Sequence, residues 1–292
     1  MIDLHTHSSI SDGELNPVEL VERSVVLGLK TLALTDHDTI SGLEDAENAS
    51  KTLNLCFIPG VELEIETESG DIPAISGEFH LLGLGLNYRT EELLTTLEYL
   101  SVIREKRNKE MVKRIREAGI DVDYEEIKSL AGHGVQGRNT VIGRPHFGAF
   151  LISRKIVKNQ EQAFSHWLGK GKPFYVPKAG LELSKAVRLI HQAGGAAVLA
   201  HPLSLYVSWG RLPGLLGIFK DTGIDGIEAW HPNARVRDCK RLEELGKSLG
   251  FFITAGSDFH GKNRPERKLG HTAGGRKIED QYLEGVRAFV LE

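Results

Sequence analysis

Two histidines near the N-terminus are spaced so that they could bind one ion together. His5 and His7 stand two residues apart in an apolar start that predicts a β-strand, and side chains two residues apart in a strand point to the same face. Asp12 follows after a polar turn that is long enough to fold back beside them. Two imidazoles and a carboxylate suit a borderline divalent cation such as Zn, Mn or Fe better than Mg or Ca. The alternative is a pair of surface histidines that binds no metal.

Further residues of the metal-binding types follow the apolar runs that the sequence predicts as later strands. They are His37, Glu62, His201, Asp258 and His260. His80 differs, because it opens its apolar run instead of following one. In parallel α/β barrels the loops after successive strands meet at one face, where active sites lie. We therefore expect these side chains to converge with His5, His7 and Asp12.

The candidate set contains six histidines and three carboxylates, which is more than one tetrahedral site uses. Such a set suffices for two or three ions that share bridging carboxylates. Clustered metal ions stabilise an in-line displacement at phosphorus and lower the pKa of a bridging water. The predicted chemistry is phosphoester hydrolysis by a metal-bridging hydroxide, with no serine or cysteine nucleophile.

Bulk properties are those of an ordinary soluble globular protein. The chain has 292 residues, 40% apolar residues and a net charge of −4, so it is not as a whole an electrostatic binder of nucleic acid. Its two cysteines are too few for a disulfide framework. No segment has the length of a membrane span and the N-terminus shows no secretory signal. We expect a cytoplasmic protein without an obligate protein partner.

Apolar runs alternate with helical patterns over residues 1–87 and again over 174–292. This alternation predicts an α/β fold with a mainly parallel sheet or barrel. Between them, residues 88–173 contain several helical patterns and no convincing strand. We predict that this segment is a helical insertion, or cap, with 169–173 as the returning linker. The basic run at 104–116 favours a solvated helix face, and a phosphate-attracting rim is the alternative.

Taken together, these motifs resemble the polymerase and histidinol phosphatase (PHP) family. The matching segments are His5-x-His7, Thr35-Asp-His-Asp38, Gly60-Val-Glu62, His80, Ala200-His-Pro202 and Gly256-Ser-Asp-Phe-His260. The resemblance implies a distorted seven-stranded β/α barrel with two or three divalent metal ions, manganese first and iron or zinc as alternatives. By that analogy, His5, His7, Glu62 and Asp258 bind one ion, Glu62, His80 and His201 a second, and Asp12, His37 and His260 a third.

The insertion is similar to that of stand-alone PHP phosphoesterases with a helical lid. The resemblance rests on Ile142-Gly-Arg144-Pro-His146-Phe and Lys172-Pro-Phe-Tyr-Val176. Members of that group remove the 3′-phosphate of nucleoside 3′,5′-bisphosphates, and some degrade short RNA from a 5′-phosphate end. Arg144 offers a planar fork for a phosphate, and His146 at the start of the following helix could donate beside it. Lys172 and Lys178 are weaker candidates, and the alternative for Arg144 is a surface salt bridge.

The predicted function is therefore a metal-dependent phosphomonoesterase that acts on a small nucleotide or on short RNA ends. One alternative is a phosphatase of the histidinol phosphate type, against which the insertion argues. Another is a non-catalytic metal-binding or proofreading module that serves a polymerase. A third is a hydrolase of C–N bonds, although His37 and the Asp258-x-His260 ending favour the PHP family over amidohydrolases.

Overall fold

The computed structural model describes residues 1–67, 75–131, 140–177 and 180–289. Its centre is a seven-stranded sheet in which the strands lie side by side in chain order. These strands are β1 (Ile2–Asp3), β2 (Thr31–Leu34), β3 (Cys56–Glu64), β4 (His80–Leu84), β5 (Ala196–Leu199), β6 (Gly226–Trp230) and β7 (Phe252–Ala255). A separate small sheet pairs β8 (His271–Thr272) with β9 (Arg276–Lys277). The predicted α/β fold with a seven-stranded barrel-like sheet is confirmed.

Strand β4 runs against both of its neighbours, whereas the other neighbouring pairs of the large sheet are parallel. Its first residue, His80, pairs with Glu64 at the end of β3. Because β4 is reversed, its beginning lies at the same edge of the sheet as the ends of its neighbours. This reversal explains why His80 opens its apolar run while the other candidate ligands follow theirs.

The two outer strands approach each other just beyond their ends, which nearly closes the barrel. Thr6 forms a parallel bridge with Phe259, and the Asp258 amide donates to the His5 carbonyl at 2.8 Å. The prediction that His5 and His7 lie within the first strand was wrong, because β1 ends at Asp3. The Thr35 amide still donates to the Thr6 carbonyl at 2.9 Å, but the Thr6 amide donates to the hydroxyl of Thr35 at 3.2 Å and not to a backbone carbonyl.

Helices connect the strands and cover the outside of the barrel. They are α1 (Pro17–Val26), α2 (Leu43–Leu53), α3 (Glu91–Glu117), α4 (Tyr124–Leu130), α5 (Arg144–Ser153), α6 (Gln160–Ala163), α7 (Leu183–Gln192), α8 (Leu212–Thr222) and α9 (Val236–Ser248). The start of α1 shows why such sequences form helices: Asn16 and Glu19 bond each other's backbone amides at 2.9 Å in a capping box. No described helix is long and apolar enough to cross a membrane.

Helix α3 joins two hydrophobic cores. Leu93 and Leu97, in its first half, pack into the core of the barrel. Met111 and Ile115, in its second half, pack into a separate core built from α3, α4, α5 and the residues that follow. Helices α3 to α6 thus lie between β4 and β5 and enclose a core of their own. The bounds 88–173 for this cap stay a prediction.

Candidate metal centre

The nine candidate ligands converge at one end of the barrel. They form four overlapping groups in which the ligand atoms lie within 4.8 Å of one another. The groups are His7, Asp12, His37 and His260; His5, His7 and Asp258; His5, Glu62 and His201; and His37, Glu62 and His80. The expected convergence is therefore present, and the role of these side chains as metal ligands stays a prediction.

Glu62 lies at the middle of the cluster and is almost completely buried. Its Oε1 lies 2.9 Å from His80 Nδ1 and 3.0 Å from His201 Nε2. Its Oε2 lies 3.2 Å from His7 Nε2 and 3.4 Å from His5 Nε2. Oε2 also lies 3.0 Å from His37 Nδ1. One carboxylate thus faces two imidazoles with one oxygen and three with the other, which is the arrangement expected of a bridging ligand.

Several buried nitrogen and oxygen atoms of the cluster are placed to bind a cation and not to form hydrogen bonds with one another. Glu62 Oε2 accepts no hydrogen bond from the described residues, although imidazole nitrogens surround it. His5 Nε2 and His7 Nε2 are only 3.1 Å apart. The other nitrogen of His5, Nδ1, lies 3.0 Å from Glu228 Oε1 and donates to it in the neutral tautomer, which leaves a lone pair on Nε2. Buried lone pairs that converge in this way fit divalent metal ions bound by imidazole and carboxylate.

The electrostatics of the cluster show how strongly it attracts positive charge. Burial lowers the pKa of His7, but contacts with Asp258 and Glu62 outweigh it and raise this pKa to about 9. Burial likewise lowers the pKa of His80, and the charge of Glu62 raises it to about 10. Burial raises the pKa of Glu62, yet the charges of His37 and His80 hold it well below its usual range. The carboxylates are thus ionised at neutral pH and need protons or metal ions as partners.

Glu228 supports the cluster and was missed by the sequence analysis. Its Oε1 accepts from His5, and its Oε2 accepts from the His201 amide at 2.8 Å. Gly256 leaves room for this contact, since a Cβ there would lie 2.3 Å from His5 Cβ and 2.4 Å from Glu228 Oε1. The signal in the sequence was a carboxylate inside a strand that the pattern predicts as buried.

Asp258 is oriented by two residues outside the candidate set. Its Oδ1 faces the cluster, 3.1 Å from His7 Nε2. Its Oδ2 contacts Arg267 and lies 3.0 Å from His231 Nε2. His231 directly follows β6, at the edge of the sheet where the candidate ligands lie. Arg267 lies in a loop of mixed charge, and its sequence context carried no signal.

Asp36 fixes the turn that carries Asp12. Its carboxylate accepts from the Ser8 amide at 2.8 Å and from the hydroxyls of Ser8 and Ser11 at 2.6 Å each. All three residues are buried. The turn therefore folds back as expected, so that Asp12 lies 3.1 Å from His260 Nε2.

Three non-glycine residues at this end of the barrel adopt positive φ angles. They are Asp38 at 48°, His201 at 28° and Asp258 at 49°. Such backbone conformations cost roughly 1–3 kcal/mol each and persist where surrounding contacts impose them. Here the amide of Asp38 donates to the Glu62 carbonyl at 2.9 Å, that of His201 to Glu228 Oε2 at 2.8 Å and that of Asp258 to the His5 carbonyl at 2.8 Å.

A cavity of about 620 Å³ opens onto the cluster. Its lining includes Glu62 and His201 as well as three arginines of helices α3 and α5, Arg104, Arg107 and Arg144. Cavities of this size accommodate small-molecule ligands. The combination of a buried carboxylate–imidazole cluster with guanidinium groups suits a ligand that carries phosphate.

The four predicted substrate-binding residues are placed differently. Arg144 lines the cavity, with its guanidinium 2.6 Å from Glu78 Oε1. His146 is buried, and its Nδ1 accepts from the Gly143 amide at 3.0 Å, so it caps its own helix. Lys172 is exposed, and of the described lysines it is Lys170 that lines the cavity. Lys178 lies outside the described residues. The phosphate-binding roles of all four stay predictions.

Comparison with known proteins identifies the family of this chain. The PHP domain model matches residues 3–142. A 5′-3′ exoribonuclease of Haemophilus influenzae is 34% identical over 258 residues, which cover 88% of this chain and 89% of the relative. A 3′,5′-nucleoside bisphosphate phosphatase of Chromobacterium violaceum is 31% identical over 271 residues, 93% of this chain and 91% of the relative.

The fold supports the same assignment. The crystal structure of a candidate metal-dependent phosphoesterase from Bifidobacterium adolescentis matches with a TM-score of 0.83 at 25% identity, over 100% of this chain and 96% of the other. Since two relatives match it over nearly its whole length and the PHP domain model matches the segment that carries six of the nine clustered side chains, the chain belongs to the PHP domain family.

Proposed function

We propose that this PHP-family hydrolase removes the 3′-phosphate of nucleoside 3′,5′-bisphosphates, with short 5′-phosphorylated RNA as a second substrate. The observation that carries the proposal is the position of Glu62. Both of its oxygens face imidazole nitrogens, and it lines a cavity that is also lined by the three arginines of α3 and α5. The phosphate that is hydrolysed would lie at the cluster, and the rest of the substrate would contact the guanidinium groups.

The names of the relatives support this substrate class. One is a 5′-3′ exoribonuclease and the other a 3′,5′-nucleoside bisphosphate phosphatase. Both names denote hydrolysis at phosphorus in a nucleotide or an RNA, and both relatives match nearly the whole of this chain. Phosphoester hydrolysis is therefore the function that accounts for both the cluster and the arginines.

Two or three divalent ions would be held by the cluster, manganese first and iron or zinc as alternatives. The proposed sets are His5, His7, Glu62 and Asp258; Glu62, His80 and His201; and Asp12, His37 and His260. When bound, such ions stabilise charge on phosphoryl oxygens and lower the pKa of water. Glu228 contributes by holding the His5 ring so that Nε2 faces the cluster.

Arg144 is the proposed phosphate-binding residue of the cap. Its guanidinium carbon lies 5.4 Å from the ring centre of Phe164 and 5.9 Å from that of Tyr175. These rings limit the rotation of the side chain, so that the planar donors are held in place for a phosphate. Cytoplasmic location belongs to the same proposal, because nucleotides and RNA ends are available there.

The proposal is tested by loading the protein with manganese and measuring inorganic phosphate released from adenosine 3′,5′-bisphosphate and from histidinol phosphate. We expect release from the bisphosphate, with adenosine 5′-monophosphate as the remaining product. Preference for histidinol phosphate would support the histidinol-type alternative. Full metal loading without release from either compound would support a non-catalytic metal-binding module.

Two matched variants test the role of the cap. Arg144→Ala removes the guanidinium that lines the cavity, and we expect kcat/KM for the bisphosphate to fall about 10- to 100-fold. Arg154→Ala removes an exposed guanidinium at the other end of α5, where it pairs with Glu126. Equal rates for the two variants, at equal metal content, would remove Arg144 from the proposed site.

A further inference from the structure

One buried arginine of the cavity forms no ion pair with the described residues. Arg107 is 8% exposed and lines the cavity. Its Nη2 donates to Asn108 Oδ1 at 3.0 Å, and its Nε has no hydrogen-bond acceptor among the described residues. No carboxylate of the described part of the chain lies at ion-pair distance from it. A buried charge without a partner is costly, so this guanidinium is suited to an anion that arrives with a ligand.

Two further arginines reinforce the positive charge around Arg107. Arg104 lies one turn earlier on α3, where its guanidinium contacts Asp38. Arg144 lies at the start of α5 and pairs with Glu78. Burial and then the charge of Arg107 lower the pKa of Arg104 to about 9. Burial lowers the pKa of Arg107 to about 10; the charge of Glu64 opposes this shift and the charge of Arg144 adds to it. Both of these guanidiniums are still protonated at neutral pH.

The structure also separates these arginines from the rest of the basic run. Lys106, Lys109 and Lys113 are exposed on the same helix. Arg104 and Arg107 line the cavity. The run is therefore a solvated helix face over most of its length, and two of its side chains contribute to the same cavity as the candidate metal centre.

We propose that Arg107, together with Arg104 and Arg144, binds a second, non-reacting phosphate of the substrate. This inference rests on the proposed function, since it assumes that another phosphate of the same molecule is hydrolysed at the cluster. It assigns binding residues to the 5′-phosphate that the proposed substrate carries in addition to the 3′-phosphate that is removed. Arg107 is then a specificity-determining residue, because a substrate with only the 3′-phosphate leaves it unpaired.

The inference is tested by comparing two substrates that differ only in the second phosphate. They are adenosine 3′,5′-bisphosphate and adenosine 3′-monophosphate, and the measured quantity is the ratio of their kcat/KM values. We expect the wild-type protein to prefer the bisphosphate and Arg107→Met to reduce that preference at least about tenfold, the value of one lost bond to a charged group. An unchanged ratio in Arg107→Met would overturn the inference.

The variants include a charge-matched control and a conservative replacement. Lys106→Met removes one positive charge from the adjacent, exposed position and should keep the wild-type ratio. Arg107→Lys keeps the charge without the planar fork, and we expect a ratio between those of the wild type and Arg107→Met. A purely structural role would lower turnover of both substrates by the same factor in Arg107→Met, which would overturn the inference.

A binding measurement separates this inference from the proposed function. Adenosine 5′-monophosphate carries only the second phosphate, and its affinity for the manganese-loaded protein is measured by calorimetry. We expect Arg107→Met to weaken this affinity at least about tenfold, whereas Lys106→Met leaves it unchanged. If wild-type protein binds the monophosphate through Arg107 but hydrolyses neither 3′-phosphate, the proposed function fails and the phosphate site stands. If hydrolysis occurs but neither the affinity nor the ratio depends on Arg107, the inference alone fails.

Discussion

Replacing Glu228 by glutamine tests whether the cluster binds metal in the tautomers that the structure indicates. The carboxylate accepts from His5 Nδ1 at 3.0 Å and from the His201 amide at 2.8 Å. Burial raises the pKa of Glu228, but the charge of His5 holds it below its usual value, so both oxygens are acceptors at neutral pH. A glutamine of the same shape has one acceptor and one donor group. It cannot accept both hydrogen bonds.

Each orientation of the glutamine has a cost. If the amide nitrogen faces His5, the ring must carry its proton on Nε2, and the lone pair that faces Glu62 is lost. If it faces His201, a buried backbone amide loses its acceptor, which costs about 1–3 kcal/mol of unfolding free energy. Loss of a partner that orients a metal-bound histidine lowers metal affinity about 10- to 100-fold. That factor corresponds to about 1.4–2.8 kcal/mol of binding free energy.

The assay is competition for manganese between the protein and a chelator of known affinity, with a thermal melt of each variant. Glu243→Gln is the matched control, because this carboxylate accepts from Trp230 Nε1 on β6 and pairs with Lys247 instead of a clustered histidine. We expect weaker manganese binding in Glu228→Gln and wild-type affinity in Glu243→Gln. Manganese affinity within about twofold of wild type in Glu228→Gln would refute the tautomer assignment and the role of Glu228 in orienting His5, since we expect a 10- to 100-fold loss.

Three further predictions concern metal, pH and the cap. Chelation should lower the melting temperature and manganese should restore it, since an ion at 100 times its Kd adds about 2.7 kcal/mol to stability; an unchanged melt after proven metal loss would contradict this. Metal binding at neutral pH should release protons, because His7 and His80, with pKa values of about 9 and 10, must become neutral to bind. Affinity should then rise with pH towards those values, and equal calorimetric heats in buffers of different ionisation enthalpy would argue against it. Phe147→Ala should lower the free energy of unfolding in urea by about 3–5 kcal/mol, since this ring is fully buried in the core of the cap. Val26→Ala, at a 76% exposed position, should change it by less than about 0.5 kcal/mol.

The position of most clustered side chains followed from the sequence because parallel strands end at a common edge. His201 follows β5 and His260 follows β7, and each apolar run was short enough to be recognised as a strand. The helical patterns between these runs are present as helices such as α7 and α8, since their apolar residues recur with helical spacing. These features depend on local pattern, and local pattern is what a single sequence contains.

Features that depend on partners distant in the chain were not predictable. The direction of β4 is set by its pairing with β3 and β5, and the apolar run after His80 is compatible with either direction. Glu228 acquires its role from His5, 223 residues away. Arg107 was one basic residue among several, and only the packing of α3 separates it from its exposed neighbours.

The reversal of β4 has a consequence for how the cap reaches the site. Because β4 runs away from the cluster, its last residue, Leu84, pairs with Ala196 at the start of β5, and the chain leaves for the cap from the far end of the barrel. The 27 residues of α3 span about 40 Å, which brings the chain back to the level of the cluster. The length of α3 thus sets how far the chain returns towards the cluster, and the helical rotation sets which side chains face the cavity. One residue inserted between Leu100 and Arg104 would turn every later side chain by about 100° and carry the arginines off the cavity wall.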